Sequence, residues 1–344
     1  MMNKLTIPEN TIYSRYLNSI KTISNCNEYK KSKKTKKNVY LSIVVRTQGK
    51  RLKLLYDNLL SLSKQKNNDF EIVLVEHDVD QTKEDNINQV VKQFDEEFRK
   101  KIECIKVFKG KRAKPLNYGF LCANGKYIVC LDDDDIAYNN FTDEIIKNAK
   151  KHYGQIIHCY SDFQVWKINN DGECFAETNI NKIYCRNFNF YSQMKNNFCP
   201  INSVAYPAFY FKELGIVFDE KLEVFEDYEY LMRVASISGV YNVEKSTSLY
   251  RNFINIDNSV NSVNKDIWDK NKRIIEMKLN KTITIYNDLN IGDPNLDSND
   301  YAGYKLKNEI LEKEKQEILN STSWKITKPL RSIGRIVGKI DHKK

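Results

Sequence analysis

The chain has 344 residues and a formal net charge of +10 at pH 7, with 41% hydrophobic and 12% aromatic residues. This length suggests about two domains, or one large domain with appended segments, and the apolar content suffices for a buried core. The positive charge lies at the two ends: residues 1–38 carry +7 and residues 321–344 carry +6, which leaves −3 for the middle. An acidic middle argues against a nucleic-acid-binding core, and we expect no nucleic acid partner.

Three features of the sequence favour a cytoplasmic protein. The N-terminus, MMNKLTIPEN, lacks the apolar region of a secretory signal. Apolar runs are all much shorter than the ~20 residues that a bilayer-spanning helix needs. The eight cysteines are scattered without a CxxC pair, which gives no zinc or redox motif and favours free thiols in a reducing compartment.

The predicted elements alternate along the first half of the chain. A lysine-rich segment, 27–38, is typical of a solvated linker. Beyond it, short continuous apolar runs predict buried strands, and apolar residues at helical spacing predict helices between them. The strands are expected at 39–45, 70–75, 102–108 and 127–131, and the helices at 50–65, 87–98 and 111–125. This alternation predicts a parallel sheet covered by helices on both faces.

After residue 135 the pattern is less regular. Strands are expected at 155–166, a helix at 224–236, a short strand pair at 240–251 and mostly helix at 264–320. In the last segment, 321–344, isoleucine, leucine and valine fall on one side of a helix and basic residues on the other. Such a helix is typical of binding to an anionic membrane surface, and packing on the domain is the alternative.

The sequence YIVCLDDDD, Tyr127–Asp135, runs a buried strand into four consecutive carboxylates. Ligands of such sheets bind beyond the carboxyl ends of the strands, where Arg46-Thr47 and Glu76-His77-Asp78 are also expected. Crowded carboxylates suit a hard divalent cation, Mg²⁺ or Mn²⁺, which would keep them ionised. A solvated turn or a helix N-cap is the alternative.

Four segments, in order, resemble family 2 glycosyltransferases of the GT-A fold. They lie within residues 39–255 and read LSIVVRTQGKRLKLLYDNLLSLSKQ, FEIVLVEHD, KRAKPLNYGFLCANGKYIVCLDDDD and FCPINSVAYPAFYFKELGIVFDEKLEVFEDYEYLMRVA. The resemblance implies an α/β fold of the GT-A (nucleotide-diphospho-sugar transferase) type, with one mixed, mostly parallel sheet flanked by helices and a helical C-terminal extension.

The predicted domain organisation combines this resemblance with the charge pattern. Residues 1–38 form a basic N-terminal extension, and residues 39–255 form the catalytic domain. Within that domain, 39–135 is the nucleotide-sugar-binding half and 136–255 the acceptor half. A helical extension, 256–320, and the basic amphipathic tail, 321–344, follow.

The resemblance also implies the site residues. The nucleotide-sugar contacts are Arg46, Thr47, Glu76, Asp78, Arg112, Asn117, Asp132 and Asp133. Asp134 and Asp132 hold Mn²⁺ or Mg²⁺, although four aspartates leave the register of the motif open by one residue. Asp227 is the general base, with Glu226 beside it.

Two departures from the family pattern stand out. The second strand ends in Glu76-His77-Asp78 where the family usually has two aspartates. Many members place a histidine that reaches the metal shortly after a Tyr-Arg pair, whereas this chain continues as YRNFIN, residues 250–255. A metal ligand of the family is therefore missing or replaced.

The resemblance predicts an enzyme that transfers a sugar from a nucleotide-diphosphate donor to a glycan or lipid-linked acceptor, with inversion. The stretch STSWKITKPLR, residues 321–331, is similar to one near the end of many bacterial polysaccharide glycosyltransferases. This favours surface polysaccharide synthesis at the inner face of the cell membrane. The alternatives are an inactive nucleotide- or glycan-binding protein of the same fold and a sugar nucleotidyltransferase.

Overall fold

The computed structural model describes residues 29–31, 38–169, 172–254 and 264–281. All of them belong to the first of two compact units, residues 1–290, and the second unit, 291–344, lies outside the described residues. The predictions for the tail and for most of the helical extension therefore concern residues outside this part of the chain.

The first half of the fold has the predicted alternation of strands and helices. A short strand, β1 (Tyr29–Lys31), precedes four strands that run parallel to one another. These are β2 (Leu41–Thr47), β3 (Phe70–His77), β4 (Ile102–Val107) and β5 (Tyr127–Cys130), and the helices between them are α1 (Leu52–Ser63), α2 (Gln81–Lys92), α3 (Glu96–Arg99) and α4 (Ala113–Cys122).

Two details differ from the sequence prediction in this half. Residues 29–31, expected in a solvated linker, pair antiparallel with β4 at the edge of the sheet. Pairing at the edge of a sheet needs only backbone hydrogen bonds, so a lysine-rich sequence is compatible with it. The single helix expected at 87–98 is two helices, because the Asp95 side chain accepts a hydrogen bond from the Phe98 N–H and caps a new one.

The second half completes the same sheet. Its strands are β6 (Ile136–Ala137), β7 (Ile156–Ile168), β8 (Cys174–Ala176), β9 (Asn181–Tyr184), β10 (Val204–Pro207) and β11 (Val240–Phe253). Its helices are α5 (Phe141–Lys151), α6 (Phe190–Lys195), α7 (Ala208–Lys212), α8 (Glu226–Ser238) and α9 (Lys265–Lys281), with one 3₁₀ turn at Ile201–Ser203.

One mixed sheet joins both halves in the order β1-β4-β3-β2-β5-β10-β7-β11-β6, with β8 and β9 paired to β7. The prediction of a strand pair at 240–251 is wrong, because β11 is one strand that runs parallel to β7. Its Glu244–Ser248 segment contains no glycine, proline or asparagine to reverse the chain, and register shifts between Val243 and Ser248 absorb the irregularity.

The core lies on both faces of the sheet, as the continuous apolar strands predict. Val44 faces a cluster that includes α4, α7 and α8, whereas Ile43 and Val45 face a cluster that includes α1, α2 and α5. Gly119 permits α4 to approach the sheet, because a Cβ there would lie 2.5 Å from Val44 Cγ1. This approach sets the position of Arg112, which immediately precedes α4.

Two further findings concern the described residues only. The seven cysteines among them form no disulfide. No helix in this part of the chain is long and apolar enough to cross a bilayer.

Candidate active site

A tight loop after β5 carries the four consecutive carboxylates, Asp132–Asp135. Asn58 of α1 fixes its backbone, because its Nδ2 donates to the carbonyl oxygens of Asp132 and Asp135 at 2.9 Å each. The N–H of Asp135 donates to the carbonyl of Asp132 across the turn, at 2.9 Å. The loop therefore holds the carboxylates beyond the carboxyl end of β5, where such sheets bind ligands.

Arg46, near the end of β2, holds the first carboxylate. Its Nε and Nη2 donate to the two oxygens of Asp132 at 2.8 and 2.7 Å, a bidentate pair. Burial alone would raise the pKa of Asp132, but Arg46, with Arg112 and Arg51, holds it below its ordinary value. Asp132 is therefore ionised at neutral pH.

The second and third carboxylates share another arginine. Arg51, just before α1, donates to Asp133 and to Asp134. The Thr47 hydroxyl donates to the other oxygen of Asp133 at 2.7 Å. Burial, together with the neighbouring carboxylate of Asp134, raises the pKa of Asp133 to about 7, although Arg51 opposes that rise.

The fourth carboxylate is held inside the protein. Asp135 is buried and accepts hydrogen bonds from Asn202 Nδ2, at 2.8 Å, and from the backbone N–H of Arg251, at 3.2 Å. The Arg251 side chain donates through Nε to the carbonyl of Asp134 and lies over the Trp166 ring. Arg251 belongs to the Tyr-Arg pair after which the expected histidine is missing, and it braces the acidic loop from β11.

Across the site, α8 begins with two neighbouring carboxylates in different environments. Glu226 is 2% exposed, and its Oε1 accepts from Arg112 Nε at 2.9 Å and from Arg46 Nη1 at 3.5 Å. Asp227 accepts from the Tyr228 N–H at 2.8 Å. Burial, followed by repulsion from Glu226, raises the pKa of Asp227 to about 6.

The residue before this pair has an unusual backbone. Phe225 has φ +64°, in the left-handed region, which is uncommon for a bulky side chain and costs on the order of 1–3 kcal/mol. Its ring meets the ring of Trp268 from α9 edge to face, with centroids 4.7 Å apart. Helix α9 thus contacts the segment that orients Glu226 and Asp227.

The end of β3 carries the second acidic group. Glu76 is buried, and its Oε2 has no hydrogen-bond partner among the described residues. Burial, together with Glu84, raises the pKa of Glu76 to about 7. Asp78, at φ +54°, accepts a hydrogen bond from the Lys109 N–H at 2.6 Å, which links this strand end to the segment after β4.

Two predicted nucleotide contacts come from the α4 region. Arg112 reaches the cluster through Glu226. Asn117 is buried and bonded elsewhere: its Nδ2 donates to the Phe218 carbonyl at 3.0 Å and to Glu220 at 2.9 Å, and its Oδ1 accepts from the Phe218 N–H at 2.8 Å. Its observed partners are therefore protein groups, in the segment before α8.

Comparison with known proteins identifies the family. The sequence profile named glycosyl transferase family 2 matches residues 42–214, half of the chain. The chain belongs to glycosyl transferase family 2. It is accordingly a glycosyltransferase, and the predicted family is confirmed. A search of curated proteins found no significant match.

Solved structures give the same fold. The crystal structure of Staphylococcus aureus TarS residues 1–349 with UDP-GlcNAc is 17% identical, covers 71% of this chain and 68% of its own, and has a TM-score of 0.53. The corresponding complex with UDP is also 17% identical, covers 71% and 67%, and has a TM-score of 0.50. The predicted fold, a mixed and mostly parallel sheet with flanking helices, is confirmed.

The residues of this family 2 site could supply some, but not all, of the ligands of a divalent cation. The described residues contain no group of three or more histidine, cysteine or acidic side chains arranged to hold a metal. Both oxygens of Asp132 are bonded to Arg46. Asp134 is 17% exposed, and only one of its carboxylate oxygens has a hydrogen bond among the described residues. Asp134 therefore offers one available hard oxygen, which suits Mg²⁺ or Mn²⁺ when substrate phosphates supply other ligands.

The glycosyltransferase fold brings most of the predicted site residues together. Arg46, Thr47, Arg112, Asp132–Asp134, Glu226 and Asp227 form one network, joined by hydrogen bonds and charge, and Glu76 and Asp78 lie at the neighbouring strand end. Sequence reasoning missed Asn58, Asn202 and the two arginines Arg51 and Arg251. The RTQGKR segment contained Arg51, but no pattern indicates that it reaches residues 82 and 83 positions away.

Proposed function

We propose that this family 2 glycosyltransferase transfers a sugar from a nucleoside diphosphate to a hydroxyl of a glycan or lipid-linked acceptor, in one displacement that inverts the anomeric carbon. The family and the UDP-GlcNAc held by TarS support a nucleotide-sugar donor. The donor site is formed by the ends of β2, β3 and β5, and the acceptor approaches from the α8 side.

The observation that carries the proposal is the environment of Asp227. Its pKa of about 6 makes it a carboxylate that is ionised at neutral pH and still basic enough to accept a proton. Two arginines bond its neighbour Glu226, whereas Asp227 has no arginine bond among the residues that the structure describes. Arg46 contacts both Asp132 and Glu226, so the donor and acceptor sides meet at one side chain.

The proposed step follows from these roles. Asp227 accepts the proton of the acceptor hydroxyl, whose oxygen then forms a bond to the anomeric carbon of the donor. The bond from that carbon to the diphosphate oxygen breaks, and its electron pair leaves with the nucleoside diphosphate. Attack opposite to the leaving group inverts the anomeric configuration.

Charge on the leaving diphosphate has to be balanced. Arg46, Arg51 and Arg112 provide positive charge next to the carboxylate loop, and guanidinium groups match phosphate oxygens in a bidentate geometry. Asp134, with Asp132 as the second ligand named by the family pattern, would hold Mn²⁺ or Mg²⁺. When bound, that ion would stabilise the developing negative charge.

The cellular setting belongs to the same proposal. A lipid-linked acceptor would place the enzyme at the inner face of the cell membrane, and the basic segment 321–344 would supply an anionic-surface contact. This setting fits a role in polysaccharide synthesis. The family match argues against a sugar nucleotidyltransferase. Acceptor-dependent release of nucleoside diphosphate by the wild-type protein distinguishes an enzyme from an inactive binding protein.

We expect Asp227→Asn to lower sugar transfer by about 10²–10⁴, because the amide keeps size and hydrogen bonding but accepts no proton. Donor affinity should remain near wild type.

Wild-type transfer should rise with pH through about 6, since Asp227 is protonated and inactive below its pKa. The measurement is release of nucleoside diphosphate from a panel of UDP- and GDP-sugars with Mn²⁺, with and without glycan acceptors.

Glu226→Gln is the matched comparison, because it changes the adjacent carboxylate in the same way. Neighbouring helical positions point about 100° apart, so both side chains cannot face the acceptor equally. Loss of transfer in Glu226→Gln with an active Asp227→Asn would assign the base to Glu226. Full activity in both variants would place the base outside α8.

A further inference from the structure

The guanidinium of Arg51 lies between two carboxylates of the acidic loop. Its Nη2 donates to Asp133 and its Nη1 to Asp134. Within the described residues these are the only hydrogen bonds of the Arg51 side chain. Arg51 is therefore a single positive charge that occupies the carboxylates on the donor side of the site.

The carboxylates of Asp132 and Asp135, by contrast, are held by groups that are themselves fixed. Asp132 is bonded to Arg46, which also contacts Glu226 and the Arg112 carbonyl. Asp135 is buried and bonded to Asn202. Releasing the carboxylate of Asp132 or of Asp135 from its partners would break several contacts. Releasing Asp133 and Asp134 from their arginine would require only that one side chain move.

Arg51 is well placed to make that movement. It immediately precedes α1, makes no side-chain capping bond there and is 26% exposed. A guanidinium binds phosphate oxygens as readily as carboxylate oxygens, and with the same planar geometry. A side chain held only by two carboxylates can therefore exchange them for a diphosphate that arrives at the same loop.

We propose that Arg51 is an internal counter-ion that occupies Asp133 and Asp134 until the donor binds. On donor binding its guanidinium would move to the donor diphosphate, which would leave Asp134 free to hold a divalent cation. This inference rests on the proposed function. Its consequence is that the cation binds weakly to the protein alone and much more tightly together with a nucleoside diphosphate.

Calorimetric titration of the full chain with MnCl₂, in the absence and presence of UDP or GDP, tests this exchange. We expect Arg51→Gln to bind Mn²⁺ without nucleotide at least about tenfold more tightly than wild type, because the competing charge is gone. The gain in Mn²⁺ affinity that nucleotide brings should shrink in this variant. Lys50→Gln is the matched control: it removes an exposed positive charge next to Arg51 and should behave as wild type.

Two results would overturn the proposal, and they are distinguishable. In the first, wild type binds Mn²⁺ in the presence of nucleotide, but the nucleotide-free Mn²⁺ affinity of Arg51→Gln equals that of wild type. Arg51 is then not the counter-ion, and the metal role stands. If no variant binds Mn²⁺ even with nucleotide, metal assistance itself is wrong, and the exchange fails with it.

A second variant keeps the test decisive if Arg51→Gln does not fold. Arg51→Lys retains the charge but replaces the planar fork with one ammonium group, which cannot hold both carboxylates in the same way. We expect nucleotide-free Mn²⁺ affinity to increase in the same direction, by less. An affinity equal to that of wild type in this folded variant would contradict the proposal.

Discussion

At the scale of single residues, the site separates neighbouring acids by their surroundings. Glu226 and Asp227 are adjacent in sequence, but within the described part of the chain arginines bond only Glu226. Burial and repulsion from Glu226 raise the pKa of Asp227. The same division occurs in the acidic loop, where the pKa of Asp132 is lowered by Arg46 and that of Asp133 is raised by burial. The four consecutive aspartates therefore differ in their surroundings and in their hydrogen-bond partners.

Glu76 gives a stability prediction at this scale. Burial and Glu84 raise its pKa from 4.5 to about 7, so the folded protein holds this proton more tightly than the unfolded chain. The resulting stability is fully present below pH 4.5 and is lost as pH rises through about 7. By pH 8 the loss approaches on the order of 3 kcal/mol. Glu76→Gln carries no titrating proton, so from pH 5 to pH 8 it should gain stability relative to wild type.

Chemical denaturation of both proteins at pH 5 and pH 8 measures this difference. Glu97→Gln is the control, because Glu97 is exposed on α3 and its substitution should shift stability equally at the two pH values. A wild-type to Glu76→Gln difference that does not change with pH would show that Glu76 does not titrate in this range.

The partners of the site residues were beyond prediction for a physical reason. Strand ends can be read from local apolar patterns, so Asp132–Asp135 could be placed beyond β5, and the family resemblance placed Glu226-Asp227 on a helix. The Arg251 contact with Asp134 joins residues 117 positions apart, and it depends on how β11 lies against β7. Sequence shows that the carboxylates need positive partners. It does not show which of 55 basic residues will supply them.

At the scale of elements, the periodicity of apolar residues predicted the helices and strands whose burial pattern is regular. The four parallel strands have continuous apolar runs, and their bounds differ from the prediction by at most two residues. β11 was misread because its Lys245–Ser248 segment is polar, as a turn would be, yet it pairs within the sheet. Tertiary pairing overrides local composition in such a strand.

Asn117 gives the prediction for α4. Its side chain makes three hydrogen bonds to Phe218 and Glu220, which tie this helix to the segment before α8. We expect Asn117→Ala to destabilise the protein by roughly 2–4 kcal/mol, because buried backbone groups of Phe218 lose their partners. Donor affinity, measured well below the melting temperature, should stay close to that of wild type.

The comparison variant is Asn124→Ala, which also removes hydrogen bonds near α4 but at its other end, beside Glu71. Both variants should lose stability. A large loss of donor affinity in Asn117→Ala alone would support the family assignment of Asn117 to the nucleotide sugar, despite its bonds to the protein.

At the scale of the whole molecule, charge separates the ends of the chain from its middle. Deleting 321–344 removes +6. We expect weaker binding to vesicles that contain anionic lipid, at about 1 kcal/mol for each basic residue near the surface. Donor hydrolysis should continue, since the site residues lie between 46 and 227. Cosedimentation with vesicles and nucleotide release measure the two properties.

Deleting 1–38, which removes a similar charge of +7 together with the edge strand β1, is the control for that experiment. If both deletions weaken vesicle binding equally, general basicity explains the association. Vesicle binding unchanged by the loss of 321–344 would indicate instead that this segment packs on the protein or contacts a partner.

Arg46 has a consequence for how this enzyme can diverge. It joins Asp132, in the loop after β5, to Glu226, at the start of α8. Replacing it would leave two carboxylates with fewer counter-charges, and Glu226 is buried. Positions 46, 132 and 226 are therefore free to change together but not separately. Among relatives they should covary as a unit, and a library that alters donor preference at position 132 should vary all three.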